Sequence, residues 1–338
     1  MTPLSIPFSI LDLAPIVEGG TAAQALHNAA DLARHAERWH FARYWLAEHH
    51  NMPGIASAAT SVAIAHVAAA TSTIRVGAGG IMLPNHAPLV IAEQFGTLDA
   101  LHPGRIDLGL GRAPGTDPVT AHALRRGRDR AADSFPDSVV ELMAYFAASD
   151  RDDATAPRVR AVPGAGAQVE IWILGSSLYG AQLAGALGLP FAFASHFAPA
   201  QLMQAIDLYR RCFRPSAALA RPHVMIGVHV VAAETDDEAR LLATSLEQAF
   251  VNLRSGHPTP LPPPRAGFTE QLTAEQAAML DEVLACAAIG SPATVAQRLE
   301  GLLARTEADE VILTSQIFDH GARVRAFELI AGLRDERV

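Results

Sequence analysis

"IRVGAGGIMLPNHAPLVIAEQFGTLDALHPGRIDLGLGRAPGTD", residues 74–117, reads as strand, helix, strand. The runs 74–81 and 105–111 are apolar on both faces rather than alternating, and residues 88–101 between them have helical spacing. Strands of that kind belong to a parallel sheet covered by helices. The same alternation extends in both directions. Further strands are expected at 8–13, 43–48, 170–175, 191–195, 224–231 and 310–315. Helices are expected at 21–38, 56–70, 134–148, 178–187, 198–211, 235–250 and 319–332. Eight strands with intervening helices in 338 residues predict an α/β chain folded as a (β/α)8 TIM barrel. A doubly wound open sheet would need a glycine fingerprint after its first strand, and "LDLAPIVEGG" (11–20) has none.

Three segments exceed a minimal barrel. Residues 149–169 form a polar connection with glycine and proline. Residues 252–272 contain "HPTPLPPPRAGFTE" (257–270), too proline-rich for a helix, and 252–285 reads as a mobile excursion. Residues 290–306 begin with serine and proline and predict an extra helix. No internal repeat divides the chain, so residues 1–338 are read as one domain.

Composition narrows the chemistry. Half of the residues are hydrophobic, enough for a large buried core, yet no run approaches the ~20 apolar residues of a membrane helix. There is no secretory leader pattern, and Cys212 and Cys286 are the only cysteines, so a cytoplasmic protein without a disulfide framework is expected. The net charge is -9, and the one basic block is Arg125, Arg126, Arg128 and Arg130. A nucleic-acid partner would need a broader positive surface, so that block reads as a solvated or anion-facing helix end. All 26 basic residues are arginine. Without lysine, Schiff-base chemistry and a lysine-bearing phosphate loop are excluded.

In a barrel the loops after the C-terminal strand ends build the site. "RYWLAEHHNMPGIAS" (43–57) ends its strand in Glu48, His49 and His50. Adjacent strand residues point to opposite faces, so the two histidines do not readily share a metal ion. Zinc-protease spacing is also absent, since the reversed form would need histidine where Trp45 stands. No metal is expected. His49 is read as an acid–base group and His50 as a hydrogen-bonded structural residue. In "ILGSSLYGAQLAGALGLP" (173–190) a strand ends at Gly175, Ser176 and Ser177 follow, and a helix begins at once. Free N–H groups and a positive dipole end make such a place an anion site, although a plain serine cap would look the same. Arg112, closing the neighbouring strand, adds a guanidinium suited to phosphate. Gly79 and Gly80 interrupt a strand, as close approach of a flat ligand or a bulge would require.

On these residues the chain resembles the bacterial luciferase-like monooxygenase family, in its alkanal-monooxygenase-like branch. "YWLAEHHNMPGIAS", the stretch 74–117 and "LGSSLYGAQLAGALGLPFAFASHF" carry the resemblance, which runs nearly end to end. It implies a barrel that binds reduced FMN at its C-terminal mouth, usually as a homodimer packed through the helices after the second and third strands. His49 would be the catalytic base. Gly79 and Gly80 would be joined by a non-prolyl cis peptide under the flavin ring. Arg112, Ser176 and Ser177 would hold the phosphate, and 252–285 would be a mobile active-site loop. Two positions depart from the family: Gly111 stands in place of a reactive cysteine, and Gly180 in place of a hydroxyl residue near the phosphate. The implied reaction uses reduced FMN from a separate flavin reductase and O2 to oxidise a small apolar organic substrate, aldehydes among the candidates. The alternatives are a 5-deazaflavin-dependent oxidoreductase, a flavin-binding barrel without catalysis and, third, a metal-dependent hydrolase.

Overall fold

The structure, a computed structural model, describes residues 4–125, 134–147 and 158–334. Nine strands appear among them: β1 (Phe8–Asp12), β2 (Arg43–Leu46), β3 (Arg75–Met82), β4 (Ile106–Gly111), β5 (Glu170–Gly175), β6 (Phe191–Phe193), β7 (Val224–Ala232), β8 (Ala288–Gly290) and β9 (Glu310–Thr314). All pairings between them are parallel, and the order β1-β2-β3-β4-β5-β6-β7-β9 closes on itself. Eight strands therefore form the expected closed barrel. The short β8 lies outside it, paired with the last three residues of β7.

Helices α1 (Ala22–Arg38), α2 (Thr60–Ala69), α3 (Pro88–Leu101), α4 (Pro118–Arg125), α5 (Phe135–Phe146), α6 (Leu178–Leu187) and α7 (Leu202–Cys212) surround the first six strands. Helices α8 (Asp236–Arg254), α9 (Ala274–Val283), α10 (Pro292–Thr306) and α11 (His320–Ala331) complete the shell. No helix among the described residues is long and apolar enough to cross a membrane. The excursion after α8 is partly helical, because Thr273 and Gln276 form a capping box that starts α9. Its proline-rich part is stitched to the loop after β1, where Leu261 N donates to Ile16 O and Glu18 N to Leu261 O, each at 2.9 Å. Residues 149–157 of the polar connection lie outside the described residues, as does the arginine block apart from the backbone of Arg125.

Side chains alternate along a strand, so every second residue faces the barrel axis. The inward positions form layers. At the N-terminal end Ser9, Arg43, Arg75, Asp107, Glu170 and Glu310 make an ion network. Arg43 reaches Asp107 at 2.8 Å and Glu310 and Glu170 at 3.1 Å, and Arg75 donates to Asp107 at 2.8 Å. Above it lies an apolar layer of Leu11, Trp45, Trp172, Ala192, Met225 and Ile312. The two indoles meet edge to face at 5.4 Å and anchor downward, Trp45 to Asp107 at 2.9 Å and Trp172 to Glu170 at 2.8 Å. Gly79 leaves room for Trp45, since a Cβ there would lie 3.0 Å from its ring.

Arg43 is the one residue that touches all three carboxylates of the network. Arg43→Ala should cost about 3–5 kcal/mol, because it leaves buried Glu310 without an arginine partner while Arg75 still serves Asp107 and Glu170. Urea denaturation measures this, and a loss below about 1 kcal/mol would mean that the network behaves like a surface ion pair.

Candidate active site

The opposite end of the barrel is built around Glu48. Its buried carboxylate accepts from His50 Nε2 at 2.8 Å, His86 Nε2 at 2.9 Å, Met82 N at 2.9 Å and Asn85 Nδ2 at 3.2 Å. Burial opposes the charge, but hydrogen bonds from His50 and His86 outweigh it and hold the carboxyl down at about 2. The carboxylate thus ties the loop after β3 to the end of β2, and His50 has the structural role expected of it. The loop after β4 is strapped to the same place, with Thr116 Oγ1 donating to His50 O at 2.8 Å and Asn85 Nδ2 to Pro114 O at 3.0 Å.

His49 continues the inward parity of Arg43, Trp45 and Ala47. It is half-buried, and its Nδ1 is shielded from solvent with no partner among the described residues. Burial lowers its pKa to about 4, with Glu48 opposing and His50 adding slightly. An imidazole titrating near neutrality was expected; the shielded one is a neutral acceptor at pH 7 instead.

The Gly79–Gly80 peptide is cis, and the β3–β4 register shifts between Gly79 and Ile81. A Cβ on Gly80 would meet Leu174 Cδ1 at 2.4 Å and Gly109 O at 2.6 Å, so the backbone itself forms that part of the mouth. Gly111 sits against Met82, whose sulfur would lie 2.7 Å from a Cβ; the thioether fills the place a cysteine side chain would need. Gly180 is buried with its Cβ direction 3.2 Å from Gly175 Cα, which lets the first turn of α6 sit tightly on the end of β5.

Arg112 is brought to the start of α6, which Ser176 and Ser177 precede. The exposed Arg112 guanidinium lies 4.0 Å over the ring of Tyr179, in the first turn of α6. Ser177 is the N-cap of α6 in extended geometry, yet its hydroxyl makes no cap hydrogen bond. It is therefore not the ordinary cap that its position allows. Tyr179 was not singled out in the sequence; an aromatic two residues past a Ser-Ser turn is the signal that marks it.

Two further histidines were not singled out in the sequence. His196 follows β6 and His229 lies in β7; their rings meet at 5.5 Å, and His229 meets Phe250 of α8 at the same distance. Burial holds His229 at about 4 and His196 well below its usual value, the latter also through His229 and His49. Among the described residues no group of three or more His, Cys, Asp or Glu is placed to hold a metal ion. A cavity of ≈ 520 Å³ opens at the far end of the barrel beside Arg43, Glu170 and His223, where the ion network already matches the charges.

The sequence model described as luciferase-like monooxygenase matches residues 6–310. The chain belongs to that family. A luciferase-like monooxygenase of Escherichia coli (strain K12) is 52% identical over 336 residues, covering 99% of both chains. The crystal structure of apo-MsnO8 superposes with a TM-score of 0.85 at 33% identity, covering 97% of this chain and 98% of that one. The oxygenating constituent of 3,6-diketocamphane monooxygenase from Pseudomonas putida, in complex with FMN, shares the fold. Its TM-score is 0.73 at 19% identity, over 97% of each chain. The luciferase-like barrel thus has its family's architecture from end to end.

These histidines give this member a pH signature. His49 and His229 are neutral in the fold between pH 4 and 6.5, whereas the unfolded chain binds protons there. Stability therefore rises with pH across that window, by on the order of 2–3 kcal/mol for each. Urea midpoints should fall between pH 7 and pH 5, and less steeply in His229→Phe. A flat profile would mean that these rings are not buried neutral.

Proposed function

We propose that the chain binds reduced FMN at the barrel mouth and, with O2, oxidises a small organic molecule with an apolar body, aldehydes among the candidates. The observation that carries this reading is Arg112 stacked over Tyr179 beside the uncommitted Ser177 hydroxyl at the start of α6. Guanidinium, hydroxyls and free helix N–H groups are the chemistry of a phosphate monoester site. Ser176 and Ser177 would donate to the phosphate, as would the N–H of Gly180. The backbone at Gly79 and Gly80, with no Cβ in the way, would lie under the ring.

Bound there, reduced flavin would supply the electrons that activate O2. The protein's share is to orient it, keep water out and manage protons. His49 is neutral with a bare, shielded Nδ1, so it is placed to accept a proton. Residues 252–285 would close over the mouth. No dinucleotide fingerprint follows β1, so electrons would come from a separate flavin reductase.

Arg112→Ala should weaken FMN binding about ten- to a hundredfold, less than a fully buried pair would lose because the guanidinium is exposed. Riboflavin, which lacks the phosphate, should change less than about twofold. Fluorescence titration measures both, and equal losses would reject the phosphate role. His49→Ala should do the reverse, keeping FMN affinity while slowing turnover. In the same titration, a 5-deazaflavin binding more tightly than FMN would change the cofactor.

A homodimer is also proposed. Val62 on α2 is 69% exposed and Val90 on α3 is 44% exposed, on the helices that follow β2 and β3. Light scattering at micromolar concentration should give twice the chain mass of 35.8 kDa, and a monomeric mass would overturn the assignment.

A further inference from the structure

Across the mouth from Gly79, Gly80 and Arg112, the barrel wall carries polar atoms that the protein leaves unmatched. Strands β6, β7 and β9 are neighbours in the closed order, and β7 and β9 stand opposite β3 and β4. At their C-terminal ends His196 Nδ1, His229 Nδ1, Thr314 Oγ1 and Gln316 Nε2 are buried with no hydrogen-bond partner in the protein. Buried polar groups are nearly always satisfied, and an apolar side chain would pack as well at each of these positions. A run of unsatisfied groups on three adjacent strand ends is therefore a surface built for a ligand's hydrogen bonds.

The groups also say which ligand. The His229 ring is held edge-on to Phe250 and to His196. Its Nδ1 has no partner among the described residues and serves as an acceptor when the ring proton sits on Nε2. Gln316 Nε2 is a donor, and the Thr314 hydroxyl serves either way. Gly227 lets His196 lie against β7, since a Cβ there would be 2.3 Å from its Nδ1. The imidazoles are neutral, so this wall presents a donor and an acceptor side by side without a charge. A ketone or aldehyde carbonyl would satisfy Gln316 and leave His229 Nδ1 bare. A hydrocarbon would satisfy neither.

We propose that the β6–β7–β9 wall binds the substrate, and that the substrate carries an uncharged carboxamide or N-acyl amide group on its apolar body. This rests on the flavin monooxygenase reading and narrows it. The carbonyl would accept from Gln316 Nε2, and the amide N–H would donate to His229 Nδ1 or the Thr314 hydroxyl.

The test uses FMN-loaded protein and two isosteric probes, pentanamide and 2-hexanone, which differ only in NH2 against CH3. Calorimetry should show pentanamide binding about tenfold more tightly, the worth of one well-made buried hydrogen bond. His229→Phe and Gln316→Leu should each reduce that preference below about threefold, with FMN affinity unchanged. Thr314→Val, a nearly isosteric change, covers the case in which a larger substitution does not fold. Equal binding of the two probes, or no binding of pentanamide at millimolar concentration, would overturn the assignment. So would variants that lose FMN affinity, because the wall would then serve the flavin ring. Wild-type protein that binds no FMN would instead reject the cofactor reading.

Discussion

Trp45 and Trp172 meet inside the barrel because β3 and β4 bring glycine where other strands bring side chains. A closed eight-stranded barrel must be filled from within. Here two indoles from β2 and β5 meet across the axis, and Gly79 leaves the Trp45 ring its space. Each indole N–H needs a partner when buried, and Asp107 and Glu170 supply them from the layer below. Those carboxylates in turn need Arg43 and Arg75. The N-terminal end is therefore sealed by charge, the middle by aromatic packing, and the space above Gly79 is left to the mouth.

The mouth inherits its precision from one carboxylate. Glu48 receives hydrogen bonds from His50, His86, Asn85 and the Met82 N–H, drawing the loop after β3 onto the end of β2. "EHH" thus divides its labour by strand parity: Glu48 and His50 turn to the loops, and His49 turns to the axis. The same alternation that makes a shared metal unsuitable makes this arrangement natural. His49 is then confined between a tied loop and a packed core, which strips it of water and keeps it neutral.

The eight barrel strands and most helices were legible because each is an apolar run of ordinary length bounded by turn residues. Three-residue β8 was not, since so short a run has no periodicity and is held only by the extension of β7. Helix α9 was hidden by the prolines before it, although Thr273 and Gln276 spell its capping box. At the mouth, strand-end chemistry alone was enough to single out Arg112, Ser176 and Ser177 as candidates. His229 was not, because a histidine within "VMIGVHVV" looks like a core residue with a polar edge. Only the fold shows that its Nδ1 has no partner. His49 was identified by position, but its low pKa depends on burial that no local sequence encodes.

The two ends of the barrel differ less in polarity than in satisfaction. At the N-terminal end a cavity of ≈ 520 Å³ lies beside Arg43 and Glu170, larger than the ≈ 280 Å³ hollow between α8 and α9 near Glu247. Volume alone would place chemistry there. Yet Asp107, Glu170 and Glu310 all have arginine partners, so a ligand at that end would have to compete with bonds already made. At the mouth, His49, His196, His229, Thr314 and Gln316 hold lone pairs and N–H groups that the fold has desolvated but not matched. Folding has already borne their desolvation, so a ligand gains nearly the full value of each bond it completes. That difference, rather than size, is what supports the proposal of a ligand site above the glycines of β3.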